Sequence, residues 1–213
     1  MLLEHDGRRP IIHPSAYVAP TATVCGEVTV GAHSRVLFGA VLTAEGGPVA
    51  VGAHCIIMEN AVLRGTARHP LTLGDHVLVG PRAHLSGCTV EESVFLATGA
   101  TVFNGARIGA RAEVRVNGVV HVRTVLPAGG LVPIGWVAVG DPAEILAPSE
   151  HERIWSVQSP LDFPRTVFGL ERAPAGETIM PELTRRYARA LERHRGDRAL
   201  TESVIEREMR DAG

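Results

Sequence analysis

The chain has 213 residues, 45% of them hydrophobic and 21% charged, with a formal net charge of -2. This suits one globular domain with a modest appendage and excludes global disorder, and the near-neutral charge argues against general nucleic-acid binding. No apolar run approaches the ~18 residues of a membrane span, and the opening MLLEHDGRRP lacks the charged-then-apolar order of a secretory signal.

Cys25, Cys55 and Cys88 show no CxxC spacing, so reduced thiols and a cytoplasmic location are expected. All 21 Lys-or-Arg positions are Arg. Twenty-three glycines and 14 prolines beside only 4% aromatics indicate a turn-rich β architecture.

Along the chain, aliphatic residues recur at a step of six. Val18, Val24, Val30, Val36 and Leu42 begin the series. It resumes at Val51, Ile57 and Leu63, again at Leu73, Val79 and Leu85, and runs from Val90 to Val132. Two residues before most of these stands a small or β-branched residue, such as Ala22, Val28, Ser34, Ala40, Cys55, Ala83 or Cys88. Neither a helix nor an ordinary strand has this period. A triangular coil does, with three short strands per turn and both series pointing inward, which predicts about seven coils of roughly 18 residues. Cys55 and Cys88 are then buried structural thiols, whereas Cys25, one place after Val24, has no visible partner.

The step breaks at residues 43–50 and 64–72, where inserted loops are expected on one face. The repeat ends near Gly140-Asp141-Pro142. Ser149 and Glu152 then have capping-box spacing, which predicts a helix to about Val157. A Pro-rich connector leads to a second predicted helix over 182–195, with Leu183, Tyr187 and Leu191 on one face, and a further helix is predicted near 200–210. The chain divides into a solenoid over 10–147 and a C-terminal helical extension over 148–213. The extension reads as a cap on the open coil end or as an arm that binds a partner or covers a ligand.

The segments VLFGAV (36–41), IIMENAVLRG (56–65), HPLTLGDHVLVGPRAHLSGCTV (69–90) and VAVGDPAEI (137–145) resemble the γ-class carbonic anhydrases over about residues 10–148. The resemblance implies an all-β solenoid, a left-handed parallel β-helix of hexapeptide repeats with C-terminal α-helices. It also implies a homotrimer whose metal sites lie between subunits, each held by three His. Those ligand positions fall here on Arg64, Pro81 and Ser86. The family's Arg-Gly-Asp segment reads Phe38-Gly39-Ala40, and its Gln-Asp pair reads Met58-Glu59.

A zinc hydratase needs neutral imidazoles around the cation. Zinc is therefore not expected at that locus, and no metal ligands are assigned. Arg64 suits a carboxylate or phosphate instead. The candidate catalytic residues are Glu59, Arg64, His69, His84 and Ser86, with Arg64, Arg82 and Phe38 as candidate substrate contacts and a His as general base or acid. His54, His76 and His121 fall at turns or corners and read as surface residues.

Three readings follow: a metal-independent enzyme on an anionic carboxylate or acyl substrate at a subunit interface, with acyl-CoA as co-substrate; a noncatalytic trimeric scaffold, with Arg64 and Glu59 paired to fill the emptied hole; and a carbonic anhydrase with rearranged ligands.

Overall fold

A six-residue period places three two-to-five-residue strands on each turn of the chain, and the turns stack. The computed structural model describes residues 1–174 and 176–201. It is a left-handed parallel β-helix. In each coil the chain visits three sheets in turn. The first sheet stacks Leu2–Glu4, Thr23–Cys25, Val41–Glu45, Val62–Thr66, His84–Ser86, Thr101–Val102, Val119–Val120 and Val137–Val139. The second runs from Ile11–Ile12 to Val125–Leu126 and the third from Tyr17–Val18 to Leu131–Val132, each seven-stranded. That gives seven complete coils, and the stack begins at Leu2–Glu4 rather than at residue 10.

Both inward series form the core. From Val24 to Val132 every aliphatic of the step-of-six series is buried, and so are Ala22, Val28, Ser34, Ala40, Cys55, Ala83 and Cys88 of the small series. Each coil alone would leave this surface wet; stacking removes it from water. The corners require left-handed backbone. His33, His54 and His76 adopt φ of 59°, 56° and 58° at successive turns. Their exposed rings stack at 4.9 Å from one coil to the next.

The two breaks in the period are not simple loops. Val41–Glu45 and Val62–Thr66 are five-residue strands that overrun the corner and pair in register through Ala44–Gly65 and Glu45–Thr66. Only residues 46–48 and 67–70 turn. Gly65 makes this possible: a Cβ there would stand 2.3 Å from the Gly47 carbonyl oxygen.

Helix α1, His151–Gln158, lays Ile154 and Val157 on Val137, Val139 and Leu146 and closes the last coil. The Ser149 capping box does not form. Glu150 is the N-cap residue, no side chain caps the helix, and the Glu150 carboxylate instead accepts the Ala147 N–H at 2.8 Å. A short π-helical turn, Pro164–Phe168, follows, and then α2, Met180–Leu191, with a 3-10 turn over Glu192–Gly196. On α2, Leu183 is half-buried and Tyr187 and Leu191 are exposed; Phe168 meets the Tyr187 ring edge-on at 6.3 Å.

Arg198–Ala199 then pairs antiparallel with Leu2–Glu4. The tail thus covers the outer edge of the first strand, which would otherwise offer unpaired backbone groups to another chain. The helix predicted near 200–210 lies outside the described residues from 202 onward.

Candidate functional site

Outward-facing residues of the first sheet form ladders because each coil repeats the register of the last. One ladder runs Cys25, Thr43, Arg64, Ser86. The next runs Thr23, Val41, Val62, His84, Thr101, Val119. Thr43 and Ser86 are only 7% and 8% exposed. Arg64 Nη2 lies 3.2 Å from Glu45 Oε1, and its Nε is buried with no hydrogen-bond partner. The ion pair expected with Glu59 is therefore made by Glu45, because the overrunning strands place Glu45 and Thr66 side by side at the end of the same ribbon. His84 is held below its ordinary pKa by burial first and by the Arg64 charge second, the two standing on neighbouring outward ladders of adjacent strands.

The other candidates stand elsewhere. Phe38, Glu59 and Pro81 occupy equivalent places on the vertex between the third and first sheets, where Asn60 N–H bonds the Phe38 carbonyl and Arg82 N–H the Glu59 carbonyl. Phe38 is 52% exposed there, and Arg82, two coils further along the same vertex, adopts φ of 56°. His69 sits at the opposite corner. Its Cβ would meet a Cβ on Gly87 at 2.6 Å, and its ring lies over Gly105, so two glycines make room for it. Burial, then Arg123 and Arg68, lower the His69 pKa. It lines a cleft of about 180 Å³ with Thr66, Arg68, Asn104 and Phe168. Within one chain the candidates thus form three groups: Arg64, His84 and Ser86 on the sheet; Phe38, Glu59 and Arg82 on the vertex; His69 under the tail.

Three histidines and an arginine cannot be exchanged freely around a cation. At the locus where the family resemblance implies imidazoles, Pro81 has no side-chain donor atom and Arg64 carries a like charge. The buried Arg64 Nε–H calls for an acceptor, not a cation. These residues do not fit zinc.

Two features lie beyond sequence reasoning, because both need the tail. A groove of about 510 Å³ is lined by Phe103, His121, Trp155, Phe163 and Arg172, with the Arg172 guanidinium 5.7 Å from the Trp155 ring centroid. His121 Nδ1 is buried there without a partner, and burial lowers its pKa. At the other end Cys25 does have a partner: its Sγ lies 3.7 Å from Asp197 Oδ2. Burial and then the Asp197 charge push the Cys25 thiol up to about 12. Cys25, Cys55 and Cys88 are free and buried. Among the described residues no helix is long and apolar enough to cross a membrane.

No protein-family model matches the chain. It is 31% identical over 153 residues to γ carbonic anhydrase 1, mitochondrial, of Arabidopsis thaliana, covering 69% of this chain and 54% of that protein. It is 28% identical over 193 residues to γ carbonic anhydrase 2, mitochondrial, of the same plant, covering 85% of this chain and 67% of that one. The chain therefore spans roughly half to two-thirds of the length of these relatives. A Bacillus cereus crystal structure described as a candidate acetyltransferase shares the fold, with TM-score 0.52 and 23% identity over 74% of this chain and 90% of that one. With the solenoid, its hexapeptide period and these relatives together, the chain belongs to the γ-carbonic-anhydrase-like family of hexapeptide-repeat, left-handed β-helix proteins.

Proposed function

We propose that the protein is a metal-independent enzyme that binds an anionic carboxylate or acyl substrate at the Arg64 face, completed by a second protomer of a homotrimer. The observation that carries this reading is the guanidinium itself. It stands where relatives of this family are expected to hold a cation, and its buried Nε lacks an acceptor. A carboxylate accepts from such a fork in a charge-assisted bond, and the Ser86 hydroxyl adds a donor one coil away.

Phe38 and Arg82 on the vertex are exposed, whereas Thr43 and Ser86, which flank Arg64 on its ladder, are nearly buried. Docking the vertex of one protomer on the first-sheet face of the next unites the two groups that a single chain keeps apart. Exposed Tyr17, Phe38 and Phe95 on and beside the vertex give that contact an apolar component.

His84 is neutral near physiological pH and can take a proton. In acyl transfer it would remove the proton of an acceptor hydroxyl or amine as that atom forms its bond to the acyl carbonyl carbon. The carbon–sulfur bond of a CoA thioester breaks, and the thiolate leaves with the proton. Arg64 and Ser86 would hold the substrate carboxylate.

One observation favours a second reading, a noncatalytic scaffold: the Glu45 carboxylate already neutralises much of the Arg64 charge.

Thermal shift against small carboxylates and acyl-CoA esters separates the two. Saturation at about a hundredfold over Kd stabilises by about 2.7 kcal/mol, a shift readily seen. The wild type should respond, and Arg64→Met should not. An equal response in Arg64→Met removes Arg64 from the site, and no response from the wild type to any of these compounds favours the scaffold. Sedimentation should give a mass of three chains; a monomer would leave the site without its second half.

A further inference from the structure

The tail returns to the first coil and delivers two side chains to a place where two others wait. His5 follows strand Leu2–Glu4, Cys25 ends strand Thr23–Cys25, and His194 and Asp197 come from the turn before Arg198–Ala199. One ligand atom from each of these four residues can be chosen so that all lie within 4.8 Å of one another. His5 Nδ1 is 2.5 Å from Asp197 Oδ1, His194 Nδ1 is 2.8 Å from Asp197 Oδ2, and Cys25 Sγ is 3.7 Å from the same Oδ2. The two imidazoles stack at 4.5 Å. His5 and Cys25 are each 4% exposed.

We propose that His5, Cys25, His194 and Asp197 bind one zinc-class divalent cation that staples the tail to the first two coils.

Two imidazole nitrogens, one sulfur and one carboxylate oxygen are four ligands of the kinds zinc takes in closed tetrahedral sites. Such sites use metal–ligand distances of about 2.0–2.3 Å, which puts neighbouring donors roughly 3.3–3.8 Å apart. The observed separations straddle that range, so small side-chain rotations suffice. A thiolate and a carboxylate balance the dication. Binding forms the metal–sulfur bond and releases the Cys25 thiol proton, together with any proton shared between Asp197 and the imidazoles, to solvent.

Asp6 Oδ2 lies 3.6 Å from His5 Nε2, the ring nitrogen not used in the contact between Nδ1 and Asp197, and the nearby cations are held by other acids. Arg193 is engaged by Asp6 at 2.9 Å, and Arg8 by Glu27. A cleft of about 190 Å³ lined by His5, Asp6 and Arg193 opens beside the cluster and gives an entry path. The cluster is on the first sheet but at its N-terminal end, two strands from Arg64, so it is separate from the locus that fails to fit zinc.

The test uses the full chain, stripped with a chelator and then given zinc or cobalt alone. Elemental analysis should find one zinc per chain. Cobalt should give tetrahedral d–d bands and a sulfur-to-cobalt charge-transfer band. Cys25→Ser should abolish the charge-transfer band, and His194→Ala or Asp197→Asn should weaken binding by at least ~100-fold, since even outer-shell changes at zinc sites cost ~10–100-fold. Arg64→Met and His84→Gln should retain both metals. Circular dichroism of each variant checks the fold, and His194→Ala, on the exposed tail, serves if Cys25→Ser does not fold. No retained zinc means that the four residues form only a hydrogen-bonded catch. Zinc retained undiminished in His194→Ala, or lost with His84→Gln, also overturns the assignment.

Discussion

The coils and the tail are held by different forces. In the coils, Leu63, Leu85 and Val102 are fully buried, and each meets the same kind of neighbour above and below. On α2 no residue is buried, and the tail is tied down by polar contacts at its far end: Arg193 to Asp6, Arg198 to Glu4, and Asp197 to His5 and Cys25. A repeated apolar contact is written into the sequence as a period. A polar catch between residues nearly two hundred positions apart leaves no local trace.

This contrast sets the order of expected effects. Leu85→Ala opens a hole in the middle of the stack and should cost about 2–5 kcal/mol, read as a drop in the denaturation midpoint. If it costs under ~1 kcal/mol, the coil interior is not close-packed there. Gly65→Ala should cost about 1–3 kcal/mol, since its Cβ would push on the Gly47 carbonyl and unseat the ribbon that places Glu45 beside Arg64. The His84 pKa should move as well, because Arg64 shifts with the ribbon.

Smaller again is a dependence on pH. His69, His84 and His121 all have folded pKa values below the ordinary 6.5, with burial the first cause for each. The unfolded chain therefore binds protons more readily than the folded one. Their contribution is fully favourable above pH 6.5 and is lost as pH falls from 6.5 through the lowered folded values. Thermal melts should show the midpoint falling through that window, and His121→Asn should flatten the fall; an identical pH profile in that variant would remove His121 as a source. Smallest of all, Glu182→Ala breaks an exposed pair with Arg186 on α2 and should change stability by no more than ~0.5 kcal/mol.

How much of this was legible in the sequence follows from the same contrast. The coil number, the inward series and the outward placement of His84 follow from the period, because burial repeats with it. The ribbon at 41–45 and 62–66 does not, since extending two strands past a corner satisfies their backbone without leaving any apolar signature. Glu45 was consequently missed as the partner of Arg64. The capping box at Ser149 failed for a local reason: Glu150 bonds back to Ala147 and takes the cap position itself. Arg64, Pro81 and Ser86 could be read as displaced ligands because the flanking segments fix their places. The cluster at His5, Cys25, His194 and Asp197 could not, because two of its members arrive only when the tail pairs with the first strand.

On the proposed reading, the place around Arg64 and Ser86 takes an anion and not a metal, whereas the far end of the same ladder, at Cys25, takes the cation. Anomalous diffraction at the zinc edge, from crystals of the full chain soaked in zinc, tests this directly. The expected result is density among His5, Cys25, His194 and Asp197 and none between Arg64, Ser86 and the Pro81 vertex of a neighbouring protomer. A strong peak at the latter place, held by imidazoles brought there by His69 or His84, would contradict it.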